Sequence, residues 1–132
     1  MREALWPCGT SVHLEVLDAY FAGRSPVIDA LFVAAATAGP VGFLELRIRN
    51  YAEGSKQQRV PYIEGVFVKP EYRQQGISSK LFATAENWAR ERCFNEIASN
   101  TATQNLVAQR AHMSFGFREV ERSVSYLKKL DS

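Results

Sequence analysis

Between an apolar run and a helical pattern the chain carries Lys69-Pro70-Glu71-Tyr72-Arg73-Gln74-Gln75-Gly76-Ile77-Ser78-Ser79. A basic, glycine-containing turn with so few carboxylates suits an anion. A helix N-terminus leaves amide N–H groups unpaired, and its aligned peptide dipoles place partial positive charge there. A turn feeding that terminus can aim several N–H groups at one phosphate-like group. Gly76 has no Cβ to hold a ligand off. Arg73 offers a charged fork matched to phosphate oxygens. Ser78 and Ser79 supply hydroxyls, or simply cap the helix. Read alone, the same residues also describe an ordinary strand-to-helix turn closed by a cap. The stretch is neither a Walker motif, since it lacks G-K-[ST], nor the G-x-G-x-x-G dinucleotide fingerprint.

Several elements must position this turn. Residues 11–22 have the spacing of a short amphipathic helix, and Gly23 supplies its stop. Ala30 to Ala36 reads as a strand, Ala38-Gly39-Pro40 as a turn, and Val41 to Arg49 as a second strand. In that strand Phe43, Glu45, Arg47 and Arg49 alternate with Leu44, Leu46 and Ile48. The alternation predicts one buried face and one wet or functional face. Asn50 to Arg59 is a polar loop, and Val60 to Val68 a third strand. The chain from Gln75 or Gly76 to about Arg92 is helical, with Leu81, Phe82, Ala85, Trp88 and Ala89 on one stripe. A short strand is expected over Glu96 to Ser99, a helix over Leu106 to Phe115 ended by Gly116, and a last strand over Ser123 to Leu130. Antiparallel strands followed by strand, helix, strand, helix and strand argue for an α+β or mixed α/β domain with a parallel pair in the middle.

Composition bounds the function. The 132 residues favour one domain, 1–132, and 46% hydrophobic content can supply a core without disulfides. A formal net charge of +2 is too small to argue for nucleic acid. Cys8 and Cys93 are isolated, without metal-type spacing, and read as free thiols in a reducing cytoplasm. No stretch approaches the roughly 20 apolar residues of a membrane span. The expectation is a cytoplasmic protein with neither a nucleic-acid nor a membrane partner.

Val66-Phe67-Val68-Lys69-Pro70-Glu71-Tyr72-Arg73-Gln74-Gln75-Gly76-Ile77-Ser78 resembles the coenzyme-binding motif of the GNAT superfamily of N-acetyltransferases, with Ser78 where that family usually has Gly or Ala. A second segment, Asn105-x-x-Ala108 followed by Gly116-Phe117, is similar to the family's next helix in order and spacing. The resemblance covers roughly residues 30 to 130. It implies a mixed central sheet with a splayed parallel strand pair flanked by helices. It also implies acetyl-coenzyme A as cosubstrate and no metal. Arg73 and the backbone from Gln74 through Gln75, Gly76, Ile77 and Ser78 to Ser79 would hold the pyrophosphate. Val66, Phe67 and Val68 would pair with the pantetheine amides as an added strand would. Gly65 fits the opening, because glycine within a strand often marks a bulge. Asn105 would bond the pantetheine arm, cap its helix, or do both through different atoms.

Leu5-Trp6-Pro7, Arg47-x-x-x-Tyr51, Ile63-Glu64-Gly65-Val66-Phe67-Val68 and Gly116-Phe117-x-x-x-Glu121-Arg122 look like the aminoglycoside 6'-N-acetyltransferases. That likeness places Trp6, Tyr51, Glu64 and Glu121 in the amine site, with Asn100 where relatives carry an aspartate. A polycationic drug calls for carboxylates, and Glu45, Glu53, Glu64, Glu119 and Glu121 are available. Each could equally be a solvated surface charge. Relatives of this kind begin with a strand and most of a helix ahead of Leu-Trp-Pro, so either the sequence is a piece of a longer one or the domain is N-terminally shortened. A missing first strand would expose a sheet edge and favour a homodimer.

The implied reaction is direct attack of a neutral amine on the thioester carbonyl. Glu64 would be the base, through water, and the Val66 amide would stabilise the oxyanion. His112, seven residues after Asn105, and Tyr126 are candidate acids for the leaving thiolate. His112 could equally be a packing residue. Two alternatives stand beside an aminoglycoside: another small amine or protein amine, and a non-catalytic coenzyme-A-binding module.

Overall fold

The computed structural model describes Met1, residues 28–37 and residues 39–131. The helix expected over 11–22, Trp6 and Cys8 lie outside the described residues. The chain forms two compact units, residues 1–100 and 101–132.

The first unit is built on a four-stranded sheet: β1 (Ala30–Ala36), β2 (Gly39–Arg49), β3 (Val60–Val68) and β4 (Ala98–Ser99), in that spatial order. β1–β2 and β2–β3 are antiparallel hairpin neighbours, and β4 runs parallel to β3. A parallel neighbour needs a crossover, which the helix α1 (Ile77–Glu91) provides. Asp29 fastens the start of β1, donating its N–H to the Leu46 carbonyl and accepting from the Ile48 amide through Oδ2. The expected turn at 38–40 is tighter than its residue types suggest. Gly39 and Pro40 already pair with Ala36 and Ala35, and Val41 is the extra residue of a bulge. A proline without an N–H is tolerated at such an irregularity.

β2 corrects the expectation of one wet face. Leu44 and Leu46 are fully buried, but Phe43 and Glu45 on the opposite face are buried too, Glu45 at 2% exposure. β2 lies between β1 and β3 in the sheet, and α1 packs against it. Only towards its end do Arg47 and Arg49 regain solvent.

α1 turns Leu81, Phe82, Ala85 and Ala89 into the core, as its stripe predicts, while Trp88 is half-buried beneath the Arg92 guanidinium at 4.2 Å. The helix packs on β1, β2 and β3. Gly42 sets how closely. A Cβ there would lie 2.9 Å from the Phe67 carbonyl oxygen, 3.3 Å from Val68 Cγ2 and 3.5 Å from Ile77 Cγ2.

β4 is shorter than the expected strand from Glu96. Glu96 is instead tied to the 50–59 loop, accepting from Ser55 Oγ at 2.7 Å. Pairing is confined to Tyr62 with Ala98 and Ile63 with Ser99.

The second unit holds α2 (Leu106–Ser114), capped at both ends. Gly116 has φ +92°, the Phe117 amide donates to the His112 carbonyl and the Gly116 amide to the Met113 carbonyl. This is a Schellman ending, in which glycine carries the left-handed residue. The strand expected over Ser123 to Leu130 does not form. A strand needs a ladder partner, and none pairs with these residues among those described, so they stay irregular. No helix among the described residues is long and apolar enough to cross a membrane.

Gly42→Ala places a carbon against a backbone carbonyl that cannot swing away. It is expected to cost about 1–3 kcal/mol of stability, read as a lower urea midpoint with unchanged slope.

Candidate active site

β3 carries an extra residue opposite β2. Glu45 pairs with Gly65 and Leu46 with Ile63, which leaves Glu64 as the bulge. A bulge bends its strand and re-aims the side chain it carries. The β4 ladder ends at Ile63, the residue before the bulge. From Glu64 to Val68, β3 therefore has β2 on one side and no ladder on the other among the described residues. The sheet splays where Gly65 led the sequence reading to expect it.

The strand then enters a short 3₁₀ turn (Pro70–Tyr72) and reaches α1 through Arg73 to Gly76. Gln74 and Gly76 take left-handed backbones, with φ 63° and 81°. Gly76 is the N-cap of α1 and, among the described residues, no side-chain cap bond closes this end of the helix. Ser78 and Ser79 sit inside the first turn instead. Nothing lies within 4 Å of where a Gly76 Cβ would be. A ligand could therefore approach the backbone closely at Gly76. Arg73 stands at the same place, and its Nε donates to the Val68 carbonyl at 2.8 Å. That bond fixes the guanidinium against the strand end, 5.5 Å from the Phe67 ring.

Glu64 is not a lone carboxylate. Arg49 Nε donates to Oε1 at 2.8 Å and Arg49 Nη2 to Oε2 at 2.6 Å, a two-pronged ion pair that is partly buried. The guanidinium lies over the Tyr62 ring at 3.7 Å. The bond to Glu64 raises the Arg49 pKa, against the opposing effect of burial. Tyr62 is 1% exposed, and burial, followed by the nearby Glu53 charge, holds its phenol above the usual range. Arg49 and Tyr62 were not among the expected site residues, and Glu53 was expected only as one of five available carboxylates. Arg49 is visible in the sequence as the last member of an alternating series. Linking it to Glu64 requires knowing that β3 bulges there.

The other expected residues fall as follows. Ser99 pairs with Ile63, so Asn100 and Glu64 are the next residues on the two diverging strands. Tyr51 lies two residues beyond Arg49 and is 62% exposed. In the second unit, Asn105 Oδ1 accepts the Ala108 amide at 3.0 Å, so its capping role is realised. His112 Nδ1 lies 2.7 Å from the Ala108 carbonyl, which can only accept. Nδ1 must therefore carry the proton in this bond. The same ring meets Phe117 edge-on at 5.2 Å, the apolar contact that accompanies a Schellman ending. Glu121 and Tyr126 are exposed, Tyr126 at 91%. Among the described residues, no group of three or more His, Cys, Asp or Glu is placed to hold a metal.

The profile of the acetyltransferase (GNAT) family matches residues 1–117. The chain belongs to the GNAT family and is an N-acetyltransferase. Its relatives narrow the class. An aminoglycoside N(6')-acetyltransferase type 1 of Klebsiella aerogenes is 38% identical over 132 residues, covering 98% of this chain and 87% of the relative. The Salmonella typhimurium (strain LT2) protein of the same name is 33% identical over 134 residues, covering 98% and 88%. Among solved structures, AAC(6')-Iy in complex with the bisubstrate analogue CoA-S-monomethyl-acetylneamine superposes with a TM-score of 0.84 at 32% identity, covering 98% of this chain and 88% of that one. AAC(6')-Ih from Acinetobacter baumannii gives 0.81 at 32% identity, with the same coverage.

Asn105→Ala removes the cap of α2 and is expected to cost about 1 kcal/mol. Asn105→Asp should retain most of it. Thermal unfolding followed by circular dichroism separates the two.

Proposed function

We propose that this protein transfers an acetyl group from acetyl-coenzyme A to the 6'-amino group of aminoglycosides, and so gives resistance to these antibiotics. The observation that carries the reading is the uncapped start of α1 beside the splayed end of β3. The first-turn amides, with Arg73, Gln74, Gln75, Gly76, Ile77, Ser78 and Ser79, take the pyrophosphate. Val66, Phe67 and Val68 take the pantetheine amides on the side that β4 leaves. Asn105 caps α2 through Oδ1, and its amide nitrogen bonds the pantetheine arm.

The drug's ammonium groups meet Glu64, Asn100 and Glu121, and its rings stack on Trp6 and Tyr51. Both oxygens of Glu64 are engaged by Arg49, yet each carboxylate oxygen has a second lone pair. A water on that lone pair passes the ammonium proton to Glu64. The freed amine attacks the thioester carbon, and the C–N bond forms as the carbonyl becomes an oxyanion held by the Val66 amide. Collapse breaks the C–S bond. The thiolate leaves and takes a proton from His112, when that ring is doubly protonated, or from Tyr126. The attacking nitrogen loses its second proton to water, giving the amide and coenzyme A.

A second reading, acetylation of another small amine or a protein amine, is favoured by Asn100. An amide there lowers the negative charge offered to a polycation. The family profile spans both compact units, which supports reading residues 1–132 as one catalytic domain. The protein works in the cytoplasm, where acetyl-coenzyme A is made, and as a homodimer. The irregular segment that leaves Val124, Tyr126, Leu127 and Leu130 exposed supports the dimer.

Thiol release measured with kanamycin, tobramycin, polyamines and peptides tests the substrate. Turnover should be highest with the two drugs, and a peptide or polyamine preference would replace the first reading with the second. Glu64→Gln should keep coenzyme A affinity and lose on the order of 10²-fold in kcat. Unchanged turnover would remove Glu64 as base, and no wild-type turnover with any amine would leave a coenzyme-binding module. Leu127→Lys with Leu130→Lys should shift sedimentation equilibrium from dimer to monomer.

A further inference from the structure

We infer that Arg49 is a positioning residue of the acetyl-transfer site: its fork, stacked on Tyr62, fixes the plane of the Glu64 carboxylate towards the incoming amine. This rests on the role proposed above for Glu64. Three features of the geometry support it. Glu64 is the extra residue of a bulge, so the regular pairing that orients neighbouring side chains does not orient this one. Both its oxygens are held by adjacent nitrogens of one planar group, at 2.8 and 2.6 Å, which fixes rotation about the last side-chain bond as a single contact cannot. The guanidinium rests at 3.7 Å on Tyr62, a core residue of the sheet with no room to move. Buried ring, guanidinium and carboxylate thus form a rigid bracket. It runs from the core to the point where the β3–β4 ladder ends.

An ion pair that merely joined β2 to β3 could stand anywhere along the hairpin and would contribute little. This one is placed on the carboxylate at the mouth of the splay. Lysine would keep the charge at position 49. It would lose the fork, and with it the plane.

The test is a double-mutant cycle on steady-state kinetics. The wild type, Arg49→Met, Arg49→Lys, Glu64→Gln and the combination of Arg49→Met with Glu64→Gln are assayed with tobramycin, or with whichever amine the wild type turns over. Coenzyme A affinity and Tm are measured alongside. Misplacing a reacting group by about 1 Å can cost on the order of 10²-fold. Arg49→Met is therefore expected to lower kcat roughly 10- to 100-fold with coenzyme A affinity unchanged, and Arg49→Lys to restore little of it. In the Glu64→Gln background the same replacement should change kcat less than about twofold, because the two residues act as one unit. Additive losses, full rescue by lysine, or a gain in kcat on removing Arg49 would each overturn the inference while leaving the acetyltransferase reading intact. Should Arg49→Met not fold, the cycle of Arg49→Lys with Glu64→Gln decides by the same criterion. Absence of wild-type turnover with every amine overturns the reading, and this inference with it.

Discussion

A strand paired along only part of its length leaves backbone donors and acceptors that something else must satisfy. β3 is such a strand. One inserted residue, Glu64, interrupts its register just where the β4 ladder ends at Ser99, and the five residues from Glu64 to Val68 then have only β2 as a ladder neighbour among the described residues. The bend fixes the line along which the chain enters α1, and it lifts the Glu64 side chain out of the regular alternation. The open edge, the helix entry and the paired carboxylate all follow from that single irregularity.

The electrostatics at this point are local. The chain as a whole is nearly neutral, at +2. The Arg49 guanidinium, in contact with the Glu64 carboxylate, places an ion pair at the bend. Arg73 is likewise anchored to the strand end by Nε rather than swinging freely. Both arginines are held by the strand they serve, so charge is delivered at a defined place with little conformational freedom left to lose on binding.

Much of this was legible in the sequence, for identifiable reasons. β1 and β3 have the expected bounds because β-branched and aromatic runs bounded by turn residues are local signals. Gly65 announced a bulge and Gly116 a helix end because each marks a backbone that other residues adopt poorly. What depended on distant partners was not legible. The burial of Phe43 and Glu45 follows from where β2 lies, between β1 and β3 with α1 packed against it. The shortness of β4 follows from where β3 bends. Residues 123–130 have the composition of a strand, but composition cannot supply the neighbour a strand needs. Arg49 escaped notice because its bond to Glu64 crosses an irregular stretch of the hairpin, where counting residues gives the wrong register.

Gly76 has a further consequence. A helix that begins without a side-chain cap leaves the N–H groups of its first turn to water or to a ligand, and the coenzyme pyrophosphate proposed above would satisfy them. The ligand is then a structural part of the helix, supplied from solution. Occupancy and the integrity of α1 become one equilibrium, so the first turn should be best protected from hydrogen exchange when the anion is plentiful and should fray first when it is scarce.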